Sequence, residues 1–228
     1  VRFPLLIACC SFLSACNAGS PSGSLADTIK SSRPDDFQKI TGGDSDEERD
    51  RWNQIFRRTN YVFGREPNAS LRDHVQALPR GRVLVFPMEE GRNAVFLAKR
   101  GFDVVGVDFS DVALQKAKRM AREEKVKLAA VNADLNEYDF EPDTYDAIVG
   151  IDLFRPRLIQ QIKKGLKRGG VVLYEVTTSD QVKLESRSIR RDFLVSPGQL
   201  KKFFSDFEIL SYHEGNDGKK AIATIVAR

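Results

Sequence analysis

Residues 81–110 constrain the fold of this chain more than any other stretch. Val83 to Phe86 form a short apolar run rich in β-branched residues, as a strand buried on both faces requires. Pro87 cannot continue a hydrogen-bonded ladder, and Gly91 permits a sharp turn. Ala94 to Ala98 then supply the apolar face of a helix that Gly101 stops. Asp103 to Val107 make the next strand, and Asp108 stands at its carboxyl end, where a carboxylate can accept hydrogen bonds from ribose hydroxyls. Strand, turn, helix and strand with a terminal acid read as the first half of a nucleotide-binding α/β sheet.

The pattern continues toward the C-terminus. Ser110 reads as the N-cap of a helix to about Glu124, with Ala113, Leu114, Ala117, Met120 and Ala121 as its apolar stripe. Val126 to Val131 read as a third strand and Tyr145 to Ile151 as a fourth. Leu158 to Leu166 read as a helix, and the turn Lys167 to Gly170 leads into a fifth strand over Val171 to Val176. Ser196 and Pro197 open a helix to Phe204, with Ser196 as its cap. Phe207 to Tyr212 and Ala221 to Ala227 form a closing antiparallel hairpin. Upstream, Trp52, Ile55 and Phe56 have helical spacing within Arg49 to Arg58, and Ser70 caps a short helix to Leu78. The expected fold is therefore α/β: a doubly wound, mostly parallel sheet of seven strands, Rossmann-like, closed by the hairpin.

A chain of 228 residues holds one such domain and an appendage. The three cysteines, Cys9, Cys10 and Cys16, all lie at the N-terminus, which excludes disulfides, cysteine-based zinc sites and cysteine nucleophiles from the domain itself. Arg2, the apolar run Phe3 to Leu13 and the small residues after it resemble an export signal too short to span a bilayer. Leu13-Ser14-Ala15-Cys16 resembles the lipobox of bacterial lipoproteins, in which the signal is cut before a cysteine that then carries acyl chains. The first methionine is Met88, which implies an alternative start or an incomplete upstream sequence. The expected organisation is a signal peptide over 1–15, a flexible tether over 16–48 and a folded domain over 49–228. Some 30 flexible residues would reach about 30 Å from the anchor. The expected location is the bacterial cell envelope, through lipid on Cys16, with a cytoplasmic product as the alternative.

From about Arg51 to Arg228 the sequence resembles the class I S-adenosylmethionine-dependent methyltransferases, nearest to the tellurite-resistance-type group. The segments that carry this resemblance are Tyr61 to Asn68, Glu90 to Ala94, Gly106 to Ser110, Ala133-Asp134-Leu135, Tyr145 to Val149 and Lys167 to Gly170. The resemblance implies S-adenosylmethionine as cofactor. It implies that Gly91 admits the methionine portion, that Arg92 and Asn93 open the next helix, and that Asp108 holds the ribose. It places Phe109 along the adenine, Asp134 at the adenine amino group and Leu135 beside it. No catalytic residue is implied, because a sulfonium is already an activated methyl donor and positioning supplies much of the rate. His74 and His213 read as structural or solvated groups, and no metal site is expected.

Three departures from the family pattern stand out. Val85 replaces the usual strand-end acid, Met88 and Glu89 stand where the family has small residues, and Arg168 replaces a proline. A side chain at 88 or 89 is expected either to fill the methionine pocket or, as Glu89 or Glu90, to pair with the cofactor's ammonium. Two functions follow: methyl transfer to a small-molecule acceptor, or a non-catalytic envelope module on a degenerate methyltransferase fold. Net charge is only +4, and no basic stripe with interleaved aromatics suggests nucleic acid. The cluster Arg187, Arg190 and Arg191 reads as a solvated face or an anion contact. The turn lacks the three-glycine pattern of nicotinamide-dependent oxidoreductases.

Overall fold

The order in which strands are added to the sheet reverses direction between the first and fourth strands, and that reversal positions the site. The computed structural model describes residues 45–184 and 193–228. The expected signal peptide, Cys16, most of the tether and Arg187, Arg190 and Arg191 lie outside the described residues. Helix α1 (Ser45–Phe56) comes first, so the last residues assigned to the tether belong to a helix. α2 (Ala69–His74) follows, then β1 (Arg82–Phe86), α3 (Arg92–Lys99), β2 (Asp103–Asp108), α4 (Asp111–Glu123), β3 (Ala129–Asn132) and β4 (Tyr145–Ile151). The rest is α5 (Pro156–Gly165), β5 (Leu166–Thr177), α6 (Gln181–Leu184), α7 (Gln199–Phe203), β6 (Ile209–Asn216) and β7 (Ala221–Ala227).

The seven strands form one sheet in the order β3-β2-β1-β4-β5-β7-β6. β1 pairs in parallel with both β2 and β4, and only β7 runs antiparallel, between β5 and β6. The expected doubly wound sheet and closing hairpin are therefore present. Successive residues of β1 point to opposite faces. Leu84 and Phe86 join one core cluster with Leu158, Ile159 and Ile162 of α5. Val83 and Val85 join the other, with Ala94 and Leu97 of α3 and Leu114 and Ala117 of α4. Both faces are covered, which is why the central strands read as unbroken apolar runs. Among the described residues, no helix is long and apolar enough to cross a membrane.

Four expected boundaries shift, each for a local reason. Val126 to Leu128 do not begin β3, because Lys125 turns left-handed (φ 57°) and the Val126 amide bonds back to the Ala121 carbonyl, closing α4. The turn expected over Lys167 to Gly170 lies inside β5, as an irregularity between the pairs Tyr145–Leu166 and Ala147–Val171. The cap of α2 is Asn68, whose side chain accepts the Leu71 amide, while Ser70 Oγ donates to Glu175. α7 starts at Gln199 because Gly198 is left-handed (φ 73°) and its amide donates to the Glu214 carboxylate.

Phe86, wholly buried, lies between the rings of Phe140 and Tyr174 at centroid distances of 5.3 and 5.9 Å. Phe86→Ala should cost about 3–5 kcal/mol through lost transfer energy and an unfilled cavity. Chemical denaturation should show this as a lower midpoint with an unchanged slope.

Candidate functional site

In an open α/β sheet the crevice opens beyond the carboxyl ends of the strands, where the strand order reverses. Here that point lies between β1 and β4. The turn after β1, residues 87–91, sits there. Its Met88 amide donates to Val107 of β2 at 2.8 Å, and the Gly91 amide returns to the Met88 carbonyl at 3.1 Å. Glu89 is left-handed (φ 54°), a conformation that small residues adopt at less cost.

The two side chains expected in the ligand's path part company. Met88 is buried in the core and packs against β2. A Cβ built on Gly106 would meet its Sδ at 2.2 Å, so Gly106 makes room for the thioether. Glu89 instead stays at the strand ends with its side chain 8% exposed. One of its oxygens, Oε2, has no hydrogen-bond partner, and Arg92 Nε stands 3.4 Å from it without a hydrogen bond's alignment. Burial pushes the Glu89 carboxyl up to about 8, against the opposing field of Arg92 and with the support of Asp152 and Asp108.

Asp108 is 2% exposed, and both of its oxygens are engaged. Oδ2 accepts the Glu89 amide at 2.8 Å and Oδ1 accepts the Ser110 amide at 2.9 Å. Burial raises this carboxyl to about 6, opposed by those same backbone donors. Ser110 caps α4 as expected, accepting the Ala113 amide. The 132–135 segment lies beside β2, since the Ala133 amide donates to the Asp108 carbonyl and Asn132 Nδ2 to that of Phe109. Phe109 and Asp134 are half-buried there, and Asp134 also accepts the Asn136 amide at 2.8 Å. Leu135 is buried in the core cluster on the α5 face of the sheet.

Gly91 has φ 96°, and a Cβ there would come within 2.8 Å of Ala117 in α4. Its first duty is thus to let α3 and α4 approach. Asn93 Oδ1 accepts the Asn68 amide at 2.8 Å, and Arg92 donates to the Phe63 carbonyl with its guanidinium over that ring. The seven residues singled out therefore cluster at one end of the sheet. Within the protein itself, three of them hold the aromatic segment 61–68 or pack helices.

Three buried charges fasten that segment: Lys116 and Glu175, to which sequence reasoning gave no role, and Glu90, which it offered to the cofactor's ammonium and which pairs with Lys116 instead. Glu90 accepts the Val62 amide and pairs with Lys116 at 2.6 Å, and Lys116 also donates to the carbonyls of Arg58 and Asn60. Glu175, buried in β5, accepts from Asn68, Ser70 and Thr224. An acid inside the apolar run of β5 was the available signal. His74 bridges the Ser70 carbonyl and Ser211 Oγ, a structural role, and His213 is exposed on β6. No cluster of metal-ligating groups occurs among the described residues.

Residues 83–170 match the model of a family described as a methyltransferase domain. The match runs from β1 into β5, and over that stretch the chain is similar to this family. Among curated relatives, the probable S-adenosyl-L-methionine-dependent methyltransferase TehB of Haemophilus influenzae is 24% identical over 166 residues, covering 64% of this chain and 57% of its own. Hemagglutinin 1 of Eikenella corrodens is 27% identical over 156 residues, covering 64% and 50%. The chain thus spans about half the length of these relatives. The crystal structure of the Haemophilus influenzae TehB superposes with a TM-score of 0.61 at 20% identity, over 79% of this chain and 66% of that one, a likeness of fold.

The Haemophilus influenzae relative is named as probably S-adenosyl-L-methionine-dependent, and the charge at these strand ends bears on a cofactor of that kind. A buried carboxylate oxygen without a hydrogen-bond partner, at the carboxyl ends of β1 and β2, suits a cationic nucleoside.

The raised carboxyl of Glu89 has a consequence for stability. Between the ordinary carboxylate range and about pH 8 the folded state holds a proton that the unfolded state has lost. Its contribution is therefore full at low pH and disappears as pH rises through about 8. The melting temperature of the wild type should fall from pH 5 to pH 9 more steeply than that of Glu89→Gln. Parallel profiles would show that Glu89 titrates normally.

Proposed function

We propose that the chain is a methyltransferase that passes the methyl group of S-adenosylmethionine to a small-molecule acceptor, and that lipid on Cys16 holds it at the bacterial cell envelope. The observation that carries the catalytic half is the turn 87–91, with Asp108 and the buried Glu89 carboxylate side by side at the strand-order reversal. The bound cofactor would supply a methyl group already activated on a sulfonium, so the chain's task is to place and enclose it. Asp108 would hold the ribose, Phe109 and Asp134 would border the adenine, and Gly91 to Asn93 would carry the helix that faces the methionine portion. The segment 61–68, fastened by Glu90, Asn93 and Glu175, would exclude water over it. A small acceptor agrees with the modest net charge of +4.

A second reading is favoured by one observation: Glu89 already buries its side chain in the turn, and both oxygens of Asp108 are already bonded. On that reading the fold is a non-catalytic envelope module whose crevice serves another ligand or a protein partner.

Calorimetric titration of S-adenosylmethionine into the detergent-solubilised full chain separates the two. Micromolar binding is expected, and a folded protein that binds none would favour the module. The anchor has its own test. Labelled palmitate fed to a bacterial host should enter the wild-type chain and not Cys16→Ser, and equal labelling of both would overturn it.

A further inference from the structure

A hollow of about 290 Å³ opens at the other end of the sheet from the crevice. Its wall comes from the last turn of α5, the first residues of β5, the turn before β6 and the residue after β7. Four bases line it: Lys163, Lys167, Arg168 and Arg228. Asp143 and Asp206 are the acids there. Helix chemistry accounts for Lys163, since a cation in the last turn of α5 complements the helix end. It does not account for Arg168, in β5, or Arg228, just beyond β7.

Local structure holds these bases in place. The register of β4 with β5 breaks after the pair Tyr145–Leu166 and resumes at Ala147–Val171, so Lys167 to Gly170 bulge from the ladder. Lys167 Nζ fastens the bulge to Asp146, 2.9 Å from each oxygen, and Asp146 also accepts the Arg82 amide at 2.8 Å. Lys163 donates to Asp206 at 2.5 Å and lies over the rings of Phe204 and Phe207. Arg228 spends Nε and Nη2 on Glu208, which leaves Nη1 without a partner among the described residues. Arg168 is exposed and makes no hydrogen bond or ion pair among the described residues, so its whole guanidinium is available. Asp143, unpaired with any base among those residues, is the one opposing charge.

We propose that this hollow binds a phosphate-bearing anion, with Arg168 as the main contact and Lys163 and Arg228 completing it. A phosphate suits donors that converge from three elements, because its oxygens point in several directions, whereas those of a carboxylate share one plane. Arg168 stands where the family pattern has a proline, so this departure puts a charge where that pattern has none. A lipid headgroup and a soluble phosphate compound present the same oxygens. The hollow is separate from the crevice, and the proposal is independent of the methyltransferase reading.

The test titrates inorganic phosphate into the detergent-solubilised full chain and, after detergent removal, mixes the chain with vesicles of phosphatidylglycerol or of phosphatidylcholine. Wild type should bind phosphate, and Arg168→Glu should weaken it about fivefold or more, the scale of one exposed ion pair lost and replaced by repulsion. Asp143→Asn should tighten it. Lys118→Glu, a charge reversal at an exposed position of α4 outside the hollow, should leave it unchanged. A preference for phosphatidylglycerol vesicles that R168E removes assigns the anion to a lipid headgroup. Phosphate binding without that preference assigns it to a soluble compound. No phosphate binding, together with no vesicle preference sensitive to R168E, would overturn the proposal. Equal losses in R168E and K118E would overturn it too, because net charge alone then explains the attraction. R168E should melt at the wild-type temperature, since its side chain bonds to nothing, so a loss of phosphate reports on the hollow and not on folding. S-adenosylmethionine titrated into wild type and R168E should give the same result for both, which keeps the outcome for the crevice apart from the outcome for the hollow.

Discussion

Asp108 ties together the parts from which the crevice is built. One of its oxygens accepts the amide of Glu89 in the turn after β1, and the other accepts the amide of Ser110 at the start of α4. Its own carbonyl accepts the Ala133 amide beyond β3. The ends of three adjacent strands are thereby held by one residue. Burial makes that carboxylate costly, and its backbone donors offset the cost. The turn can then hold Glu89 in a left-handed conformation that its side chain alone would not favour. The methyl transfer proposed for this crevice would depend on this frame more than on any reactive side chain.

Buried charges also fasten what lies over the crevice. The pair Glu90–Lys116 spends its hydrogen bonds on the backbone of residues 58–63, and Glu175 spends its own on Asn68 and Ser70. A buried ion pair is weak evidence for stability, because desolvation cancels much of its attraction. What such a pair does supply is a single geometry. Only one arrangement of the segment satisfies every donor, which gives the crevice a defined wall. The aromatic groups Phe56, Trp52 and Phe63 then pack on one another across that wall.

Glu89 and Met88 illustrate how neighbouring residues divide labour at a turn. Both replace small residues of the family pattern, yet Met88 turns into the core above Gly106 and leaves the crevice unaffected. Glu89 remains in it. Burial sets the ionisation of its carboxyl, with Arg92 opposing and Asp152 and Asp108 adding to the shift.

Alternation of apolar runs with helical stripes determined the α/β class, and the hairpin at the end was legible from its turn. The cap at Ser110 and the acid at Asp108 were legible too, because capping and strand-end chemistry are local. Boundaries at Val126, Ser70 and Ser196 were not. Each depends on a left-handed residue or a competing hydrogen bond to a distant partner, such as Glu175 for Ser70 or Glu214 for Gly198. The same limit applies to the site. Sequence alone brought Gly91, Arg92, Asn93, Asp108, Phe109, Asp134 and Leu135 together as candidates. Tertiary structure alone decided that Leu135 belongs to the core, that Gly91 is needed against Ala117, and that Glu89 is buried beside Arg92. The reason is physical: periodicity and turn chemistry act between near neighbours, whereas burial and charge pairing are settled by residues far apart in the chain.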